Sequence, residues 1–279
     1  MSKLTVGLPL YRSKDIAWLA LESLCRQKGV DFKWELIVIE EIESEKHSPL
    51  GKAKLLSYEK RLKKAGCERI IYKPIKKWIT LFEKWAEMGR LADDNSVGFL
   101  LQAADCYSQP YRLKETLNLF EKNNSDWIHS AKGVFFNIKT NKIAVFDTRL
   151  SDTTALNMAV RTSLIKQIPY LKINKSVDHH LLIQLSKIKK LSSKSKYRHK
   201  AGYKEIIIDF NKSDNWNKGF DSHGANQISS RRWIMIEKRI YKNQKKNANV
   251  PPWSPWTYSY DFWENIPNDI EDKIKNMKL

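Results

Sequence analysis

The sequence predicts an α/β protein in which helices flank a mostly parallel central sheet, followed by a basic, aromatic-rich C-terminal extension. Two observations lead to this prediction. Strand-type and helix-type segments alternate four times within about the first hundred residues. The strand segments are short apolar runs such as "ELIVI" and "VGFLL", which are typical of strands buried on both faces. Such alternation favours parallel strands joined by helical crossovers.

The first strand is predicted from Leu4 to Leu10, and the helix after it can be capped by Ser13 or Asp15. The second, third and fourth strands are expected in "WELIVIEE", "RIIYKP" and "VGFLLQA". Apolar residues at helical spacing predict single helices in "LGKAKLLSYEKRLKKAGC" and "WITLFEKWAEMGRLA".

Beyond Asp105 the pattern is less regular. It predicts a helix in "QPYRLKETLNLFEKN", a hairpin around "KTNK", and a second helix in "SVDHHLLIQLSKI" with Asp178 in its first turn. We expect a main domain over residues 1–230, with a nucleotide-binding half (1–110) and an acceptor half (111–230). Residues 231–279 form the expected extension.

Composition limits the partners and the location. The 279 residues carry a net charge of +19, which attracts polyanions such as nucleic acid, an anionic membrane surface or phosphorylated substrates. A lysine-rich surface that only improves solubility is the alternative. The apolar runs are too short to cross a bilayer, and the N-terminal sequence lacks the features of a signal peptide. With three cysteines and no metal-binding spacing, we expect a reduced, cytoplasmic protein.

Polar residues follow three of the predicted strands: Tyr11, Glu40 and Asp105. Because the carboxyl ends of parallel strands meet at one sheet edge, these residues suit a nucleotide-binding cleft. The sequence contains neither GxxxxGK nor GxGxxG, so a diphosphate there needs another source of positive charge. A divalent cation bound by Asp105 is one source. Alternatively, Asp105 serves only as a helix N-cap.

Four motifs in order resemble the family-2 glycosyltransferases, which have the GT-A fold. An opening strand ends in Pro-x-Tyr before a helix ("GLPLYRSKDIAWLALESLCRQ"), and a second strand ends in an acidic pair ("VIEEIES"). The fourth strand ends in a relative of the Asp-x-Asp element ("AADCYSQPYRL"), and "VDHHLLIQL" matches the Glu-Asp pair that opens a helix. The N-terminal half also resembles compact glycosyltransferases of tailed phages.

The resemblance implies a role for each matching residue. The donor, a nucleotide-sugar and by family preference a UDP-sugar, would contact Pro9, Tyr11, Glu40, Glu41, Ala104 and Asp105. Glu40 or Glu41 would meet the base or ribose, and Asp105 would bind Mn²⁺ or Mg²⁺ at the diphosphate. Asp178 matches the general base of inverting members, and its place at a helix N-terminus favours the ionised carboxylate.

The chain departs from the family pattern in all three acidic motifs. The acidic pair is Glu-Glu where the family has Asp-Asp, and no glycine follows it. Ala103 replaces the first aspartate of Asp-x-Asp, Cys106 follows Asp105, and Val177 replaces the glutamate before Asp178. The metal site therefore needs another ligand, for which the sequence offers His223 in "DSHG".

The acceptor side is predicted from basic residues mixed with aromatic ones after Asp178. The candidates are His179, Lys194, Lys196, Arg198, Trp216, Arg231, Arg232 and Trp233. Such a surface suits DNA. The resemblance to phage enzymes, some of which modify hydroxymethylated bases in viral DNA, then implies such a base as the acceptor and the host cytoplasm as the location. The same surface also suits a lipid-linked or cell-envelope glycan at an anionic membrane. A third reading is an inactive nucleic-acid-binding module with the same fold.

Overall fold

The structure is a computed structural model, and its described part covers most of the N-terminal two thirds of the chain. The described residues are 2–42, 48–130, 132–137, 142–147, 158–174, 177–189, 196–199, 208–211 and 266–276.

Eleven strands in the described residues form two sheets. The strands are β1 (Lys3–Leu10), β2 (Lys33–Glu41), β3 (Cys67–Ile75), β4 (Ser96–Leu101), β5 (Cys106–Tyr107), β6 (Trp127–Ser130), β7 (Lys132–Asn137), β8 (Lys142–Asp147), β9 (Ala159–Arg161), β10 (Lys196–His199) and β11 (Ile208–Asn211). The main sheet has the order β10-β6-β9-β4-β1-β2-β3 and the small sheet the order β5-β11-β7-β8. In the main sheet β9 is antiparallel to β4 and β6, and the other pairs are parallel.

Eight helices occur in the same residues: α1 (Ala17–Cys25), α2 (Lys52–Leu56), α3 (Glu59–Lys64), α4 (Leu81–Leu91), α5 (Arg112–Asn123), α6 (Thr162–Ile165), α7 (Val177–Ile188) and α8 (Asn268–Lys275). None of these helices is both long and apolar enough to cross a bilayer. The predicted α/β class with a mostly parallel sheet is therefore confirmed.

Helices cover both faces of the main sheet. The alternation along β2 shows this directly, because Leu36 and Val38 belong to one core cluster, and Ile37 and Ile39 belong to the other. The first cluster includes residues of α1, α3 and α5, and the second includes residues of α4, α6 and α7. Burial on both faces explains why the predicted strands are continuous apolar runs.

Two local predictions were wrong. The single helix expected after residue 50 is two short helices, α2 and α3. At the break between them, the Ser57 hydroxyl donates to the Lys54 carbonyl at 2.7 Å, a local bond that competes with continued helix. Ser13 does not cap α1 with its side chain, because its hydroxyl accepts from the Tyr11 amide at 3.3 Å instead.

The hairpin predicted around "KTNK" is formed by β7 and β8, which pair antiparallel. The basic segment after α7 adds the edge strand β10, which lies parallel to β6 with Lys196 opposite Trp127 and Arg198 opposite His129. Strand β11 pairs with β5 directly after Asp105, so that Asp209 lies opposite Cys106. The proposed division into halves and extension stays a prediction.

A buried charge network closes the amino-terminal edge of the main sheet. The Glu35 carboxylate is fully buried and accepts from the Thr5 hydroxyl and the Asp93 amide, each at 2.7 Å, and from the Arg69 guanidinium. Lys3 lies beside it and donates to Asp93 at 2.7 Å. The hydrogen bond with Lys3 lowers the pKa of Asp93 to about 2. Paired charges thus hold this edge of the sheet together.

Helix α8 packs onto α1, which lies more than two hundred positions earlier in the chain. Its Ile270 and Ile274 are buried, and Lys273 lies over the Trp18 ring at 3.8 Å from the ring centroid. Arg26 at the end of α1 forms an ion pair with Asp269.

Glu22 connects α1 to α3 beneath α8. Its carboxylate is nearly buried and accepts two hydrogen bonds from Arg61, at 2.7 and 2.5 Å. Burial alone would raise the pKa of Glu22, but the hydrogen bonds and charge of Arg61, with the charge of Arg26, hold it below its ordinary value near 4.5.

We expect Glu22→Gln to destabilise the protein at neutral pH by on the order of 1 kcal/mol, because half-exposed Arg61 is partly screened. A carboxylate with a lowered folded pKa stabilises fully above its unfolded pKa and loses this effect as pH falls through the folded pKa. The difference in free energy of unfolding between the two proteins should therefore be constant from pH 7 to pH 5 and shrink below pH 4.5. Urea denaturation at stepwise pH measures it, and a difference that grows towards low pH would contradict the assignment.

Candidate functional site

The strand order reverses between β1 and β4. The chain builds β1, β2 and β3 outward in one direction and then returns to place β4 on the other side of β1. In open α/β sheets, ligands bind outside the carboxyl ends of the strands at such a switch point. Tyr11 follows β1 there, Glu40 and Glu41 end β2, and Ala104 and Asp105 form the turn after β4.

Pro9 marks the point where β4 leaves β1. Strand β1 pairs with β2 as far as Leu10, but its register with β4 ends at Gly7, whose carbonyl accepts from the Gln102 amide at 2.9 Å. Because alternate residues of a strand face the same neighbour, the nitrogen of Pro9 also faces the β4 side. Proline has no N–H to donate, so it fits the place where β4 has already turned away. A gap therefore opens between the two strand ends.

Glu40 is buried and fully engaged by its own chain. Its carboxylate accepts from the backbone amides of Leu50 (2.6 Å) and Gly51 (2.9 Å) and from the Tyr72 hydroxyl (2.7 Å). Burial, together with the hydrogen bond and charge of Glu40, raises the pKa of Tyr72. Glu40 thus anchors the segment that leads into α2 at the carboxyl edge.

Glu41 pairs with Lys84 of α4 at the same edge. The Lys84 ammonium lies 2.6 Å from the Glu41 carboxylate, donates to the Leu10 carbonyl at 3.1 Å, and lies 5.3 Å from the centroid of the Tyr11 ring. Both charged side chains are almost fully buried. Burial lowers the pKa of Lys84 against the opposing effect of Glu41. Lys84 therefore contacts Glu41, the Tyr11 ring and the end of β1 at the same time. Glu41 and Tyr11 are both predicted to bind the nucleotide-sugar.

Arg12 follows Tyr11 in a strained backbone conformation. Its φ of +50° lies in the left-handed region, which costs free energy for a residue with a side chain. The guanidinium lies 4.9 Å from the centroid of the Tyr11 ring, a cation–π arrangement. Strain of this kind beside a strand end is typical of a functional site.

The turn that carries Asp105 is held from below by Gln102 and Arg112. The side-chain NH₂ of Gln102 donates to the Ala103 carbonyl (3.0 Å) and the Cys106 carbonyl (2.8 Å). The side-chain oxygen of Gln102 accepts from Arg112 at 2.6 Å. Arg112 also donates to the Leu101 carbonyl at 2.9 Å, which closes the end of β4. Asp105 is itself largely buried, and the Cys106 thiol donates to it at 3.8 Å.

The residues that match the Asp-x-Asp motif beyond Asp105 have structural roles. Tyr107 and Leu113 are buried in the core. Gln27 at the end of α1 donates to the Gln109 carbonyl and accepts from the Leu113 amide, each at 3.0 Å. These contacts fix the start of α5, and hence Arg112, against α1.

Asp105 is the carboxylate of this edge that the sequence predicts to bind a divalent cation. In the part of the chain that the structure describes, no three His, Cys, Asp or Glu side chains are grouped closely enough to hold a metal ion. The described residues alone therefore do not complete a metal site. His223, predicted as a further ligand, lies outside the described residues, as do Lys194, Trp216, Arg231, Arg232 and Trp233.

Asp178 lies in the first turn of α7 and is partly exposed, and His179 beside it is exposed. The segment leading to α7 passes close to the start of α4, where the Leu171 carbonyl oxygen lies 3.4 Å from the Thr80 hydroxyl oxygen. Val177, where the family has glutamate, is buried in the core cluster that includes Leu101. The apolar residue thus anchors the helix that presents Asp178.

No protein-family model matches the sequence, and no curated protein matches it. Among solved structures, TarS of S. aureus in complex with UDP-GlcNAc is similar over 98% of this chain and 78% of the TarS chain, with 13% identity and a TM-score of 0.57. The TarS complex with UDP gives a TM-score of 0.54 at 12% identity, over 97% of this chain and 77% of that chain.

The chain has a GT-A fold. A longer TarS structure is similar over 97% of this chain, with a TM-score of 0.53 and 13% identity, and the chain spans half of its length. At this level of identity the likeness concerns the GT-A fold alone. The predicted fold class is thereby confirmed, and the roles of the predicted site residues stay predictions.

Sequence reasoning missed three residues of this edge. In the sequence, Lys84 lies in a predicted helix, Gln102 ends an apolar run and Arg112 lies within the quoted motif, and none of the three is predicted as a site residue. The signal for Arg112 was present, since a motif-matched arginine follows the Asp105 strand end. No signal marked Lys84, because a lysine on a helix is usually solvated.

We expect Lys84→Met to lower the free energy of unfolding by about 3–5 kcal/mol, because it leaves Glu41 charged and buried without its cation. Glu41→Leu should also destabilise, while the double variant should lose clearly less than the sum of the two. Guanidinium denaturation of the four proteins measures the coupling. Additive losses would show that the two side chains do not act as a pair.

Proposed function

We propose that the chain is a glycosyltransferase that moves a hexosyl or pentosyl group from a UDP-sugar to an acceptor hydroxyl. The observation that carries this proposal is the position of Tyr11, Glu41 and Asp105 at the switch point of a GT-A fold. TarS, which has a similar fold, is solved with UDP and with UDP-GlcNAc.

The base and ribose of the donor would lie beside Tyr11 and Glu41. Glu40 is the weaker candidate for this contact, because both its oxygens already accept hydrogen bonds from the chain. Lys84 holds Glu41 and faces the Tyr11 ring, so it positions both groups. The gap at Pro9 would then direct the diphosphate towards the turn of Ala104 and Asp105.

Asp105, with His223 as the predicted second ligand, would hold Mn²⁺ or Mg²⁺. When bound, the cation stabilises the charge that develops on the leaving diphosphate. Within the chain itself, Gln102 and Arg112 keep the Asp105 turn in place for this contact.

Asp178 would act as the general base. Its carboxylate takes the proton of the acceptor hydroxyl while that oxygen attacks the anomeric carbon of the sugar. The bond from the anomeric carbon to the diphosphate oxygen breaks, and UDP leaves with the bonding electrons. A single displacement of this kind inverts the anomeric centre. The N-terminus of α7 favours the ionised carboxylate that a base requires.

The acceptor part of the proposal rests on charge. A chain with fifty basic and thirty-one acidic residues favours a polyanionic acceptor, for which a hydroxymethylated base in phage DNA is our first choice. A lipid-linked or envelope glycan at an anionic membrane is the alternative. An inactive nucleic-acid-binding module is the third reading, and it predicts no turnover at all.

We expect the protein with Mn²⁺ to release UDP slowly from a UDP-sugar even without acceptor, with water in the place of the hydroxyl. Asp178→Asn should reduce this rate about 10²- to 10⁴-fold, the usual contribution of a general base. Its affinity for UDP should change less than about twofold, since the base faces the acceptor side. A coupled assay for UDP and isothermal titration calorimetry measure the two quantities.

The matched control is Asp272→Asn on the exposed face of α8, which makes the same chemical change far along the chain from the site. It should leave the rate unchanged. Unreduced turnover in Asp178→Asn would reject its role as base. Failure of the unaltered protein to release UDP or any other nucleotide would reject the glycosyltransferase proposal itself.

For the acceptor, binding to a hydroxymethylated duplex should weaken steeply with salt, because each lysine–phosphate contact releases counterions. With about three such contacts, affinity should fall roughly 50-fold between 50 and 200 mM salt. Fluorescence anisotropy measures binding, and transfer to hydroxymethylated but not plain duplex identifies the acceptor. Salt-independent DNA binding together with tight binding to anionic vesicles would favour the membrane alternative.

A further inference from the structure

Two buried cations cap the ends of the two strands that flank the switch point. Lys84 donates to the carbonyl of Leu10, the last residue of β1, at 3.1 Å. Arg112 donates to the carbonyl of Leu101, the last residue of β4, at 2.9 Å. Since β1 and β4 are adjacent and parallel, the two cations lie at the same edge of the sheet.

The two cations differ in how their charge is balanced. Lys84 has the Glu41 carboxylate at 2.6 Å, so this pair is neutral as a whole. Arg112 donates to the Gln102 side-chain oxygen (2.6 Å), the Ser108 hydroxyl (3.0 Å) and the Leu101 carbonyl, which are all neutral. Within the described residues, no carboxylate forms an ion pair with Arg112.

Burying a guanidinium without an opposite charge lowers the stability of the fold. This cost suggests that the charge of Arg112 has a role in binding an anion. Burial lowers the pKa of Arg112 to about 10, which still leaves the group charged at neutral pH. Protein surroundings screen its field far less than water does. The field therefore reaches the turn of residues 102–106 directly above it, where a donor diphosphate would lie.

The sequence at this turn supports the same conclusion. Where the family has acidic residues on both sides of Asp105, this chain has Ala103 and Cys106, so the turn carries less negative charge. Removing carboxylates while keeping a buried cation makes the edge more attractive to an anion. It also leaves fewer carboxylate ligands for a metal at this turn.

We propose that Arg112 is a positioning residue that supplies fixed positive charge to the donor site, so that the diphosphate of a UDP-sugar binds there without a divalent cation. The inference rests on the proposed function and specifies how its donor is held. It concerns binding, and a cation that speeds the transfer step remains compatible with it.

The first arm of the test uses the unaltered protein and needs no variant. Isothermal titration calorimetry with UDP is done once with excess EDTA and once with Mn²⁺. We expect the dissociation constant with EDTA to stay within about tenfold of the value with Mn²⁺, because fixed charge replaces much of the cation's attraction. Loss of UDP binding in EDTA, with binding retained in Mn²⁺, overturns the inference and leaves the glycosyltransferase proposal standing.

The second arm separates charge from structure. Arg112→Gln should raise the dissociation constant of UDP in EDTA about tenfold, while that of uridine, which has no diphosphate, should change less than about twofold. Arg112→Lys keeps the positive charge but lacks the planar set of N–H donors. Its affinity for UDP should be close to that of the unaltered protein. An equal loss for UDP and uridine, or a failure of Arg112→Lys to restore the difference, indicates a structural role only and overturns the inference.

Lys64→Gln is the matched control for net charge. Lys64 is exposed and ends α3 just before β3 begins, so it lies at the amino-terminal edge, opposite the site. This variant removes one positive charge and should leave the ratio of UDP to uridine affinity unchanged. An equal change in Lys64→Gln and Arg112→Gln would assign the effect to overall charge and overturn the inference. Absence of binding to UDP and uridine under every condition would reject the proposed donor together with it.

Discussion

The buried hydrogen bonds of Arg112 are the interaction on which the arrangement of the site depends. They join the last carbonyl of β4, the side chain of Gln102 and the hydroxyl of Ser108 into one unit below Asp105. Gln27 then ties this unit to α1 through the first residues of α5. The carboxylate predicted to be most important for chemistry thus sits on a turn whose geometry is set by residues with no direct part in the reaction.

The two edges of the main sheet use charge in different ways. At the amino-terminal edge, Glu35 has Arg69 as its cation and Lys3 pairs with Asp93, so charges balance within the network. At the carboxyl edge, Glu41 is balanced by Lys84, but Glu40 is held by backbone amides and a tyrosine, and Arg112 is held by neutral oxygens. A buried charge without an opposite partner costs free energy, and such groups cluster at functional sites. This contrast supports placing function at the carboxyl edge.

Much of the fold could be predicted because its information is local. The apolar runs of β1, β2 and β4 reflect burial on both faces, and the spacing in α4 reflects one buried face. Periodicity does not predict the break between α2 and α3, which coincides with the local hydrogen bond of the Ser57 hydroxyl to the Lys54 carbonyl. Likewise Ser13 resembles a helix cap in sequence, but its hydroxyl serves the turn before the helix.

The candidate site was predictable only where the type and position of a residue indicate its chemical role. Asp105 and Asp178 could be singled out as carboxylates at a strand end and a helix start. Glu40 and Glu41 are equivalent in sequence, and only distant partners distinguish them: the amides of Leu50 and Gly51 for one, and Lys84 for the other. Pairings across tens of residues follow from tertiary packing, which periodicity and composition do not encode.

Pro9 prevents β1 and β4 from pairing where the gap between them begins, because its nitrogen has no hydrogen to donate. A strand end with a free N–H could pair with its neighbour whenever the neighbour fluctuated towards it, and the gap would then be one of several states. The missing N–H is a covalent property, independent of pH, salt and ligand. Pro9 therefore keeps the end of β1 from pairing with β4 whether or not a ligand is present.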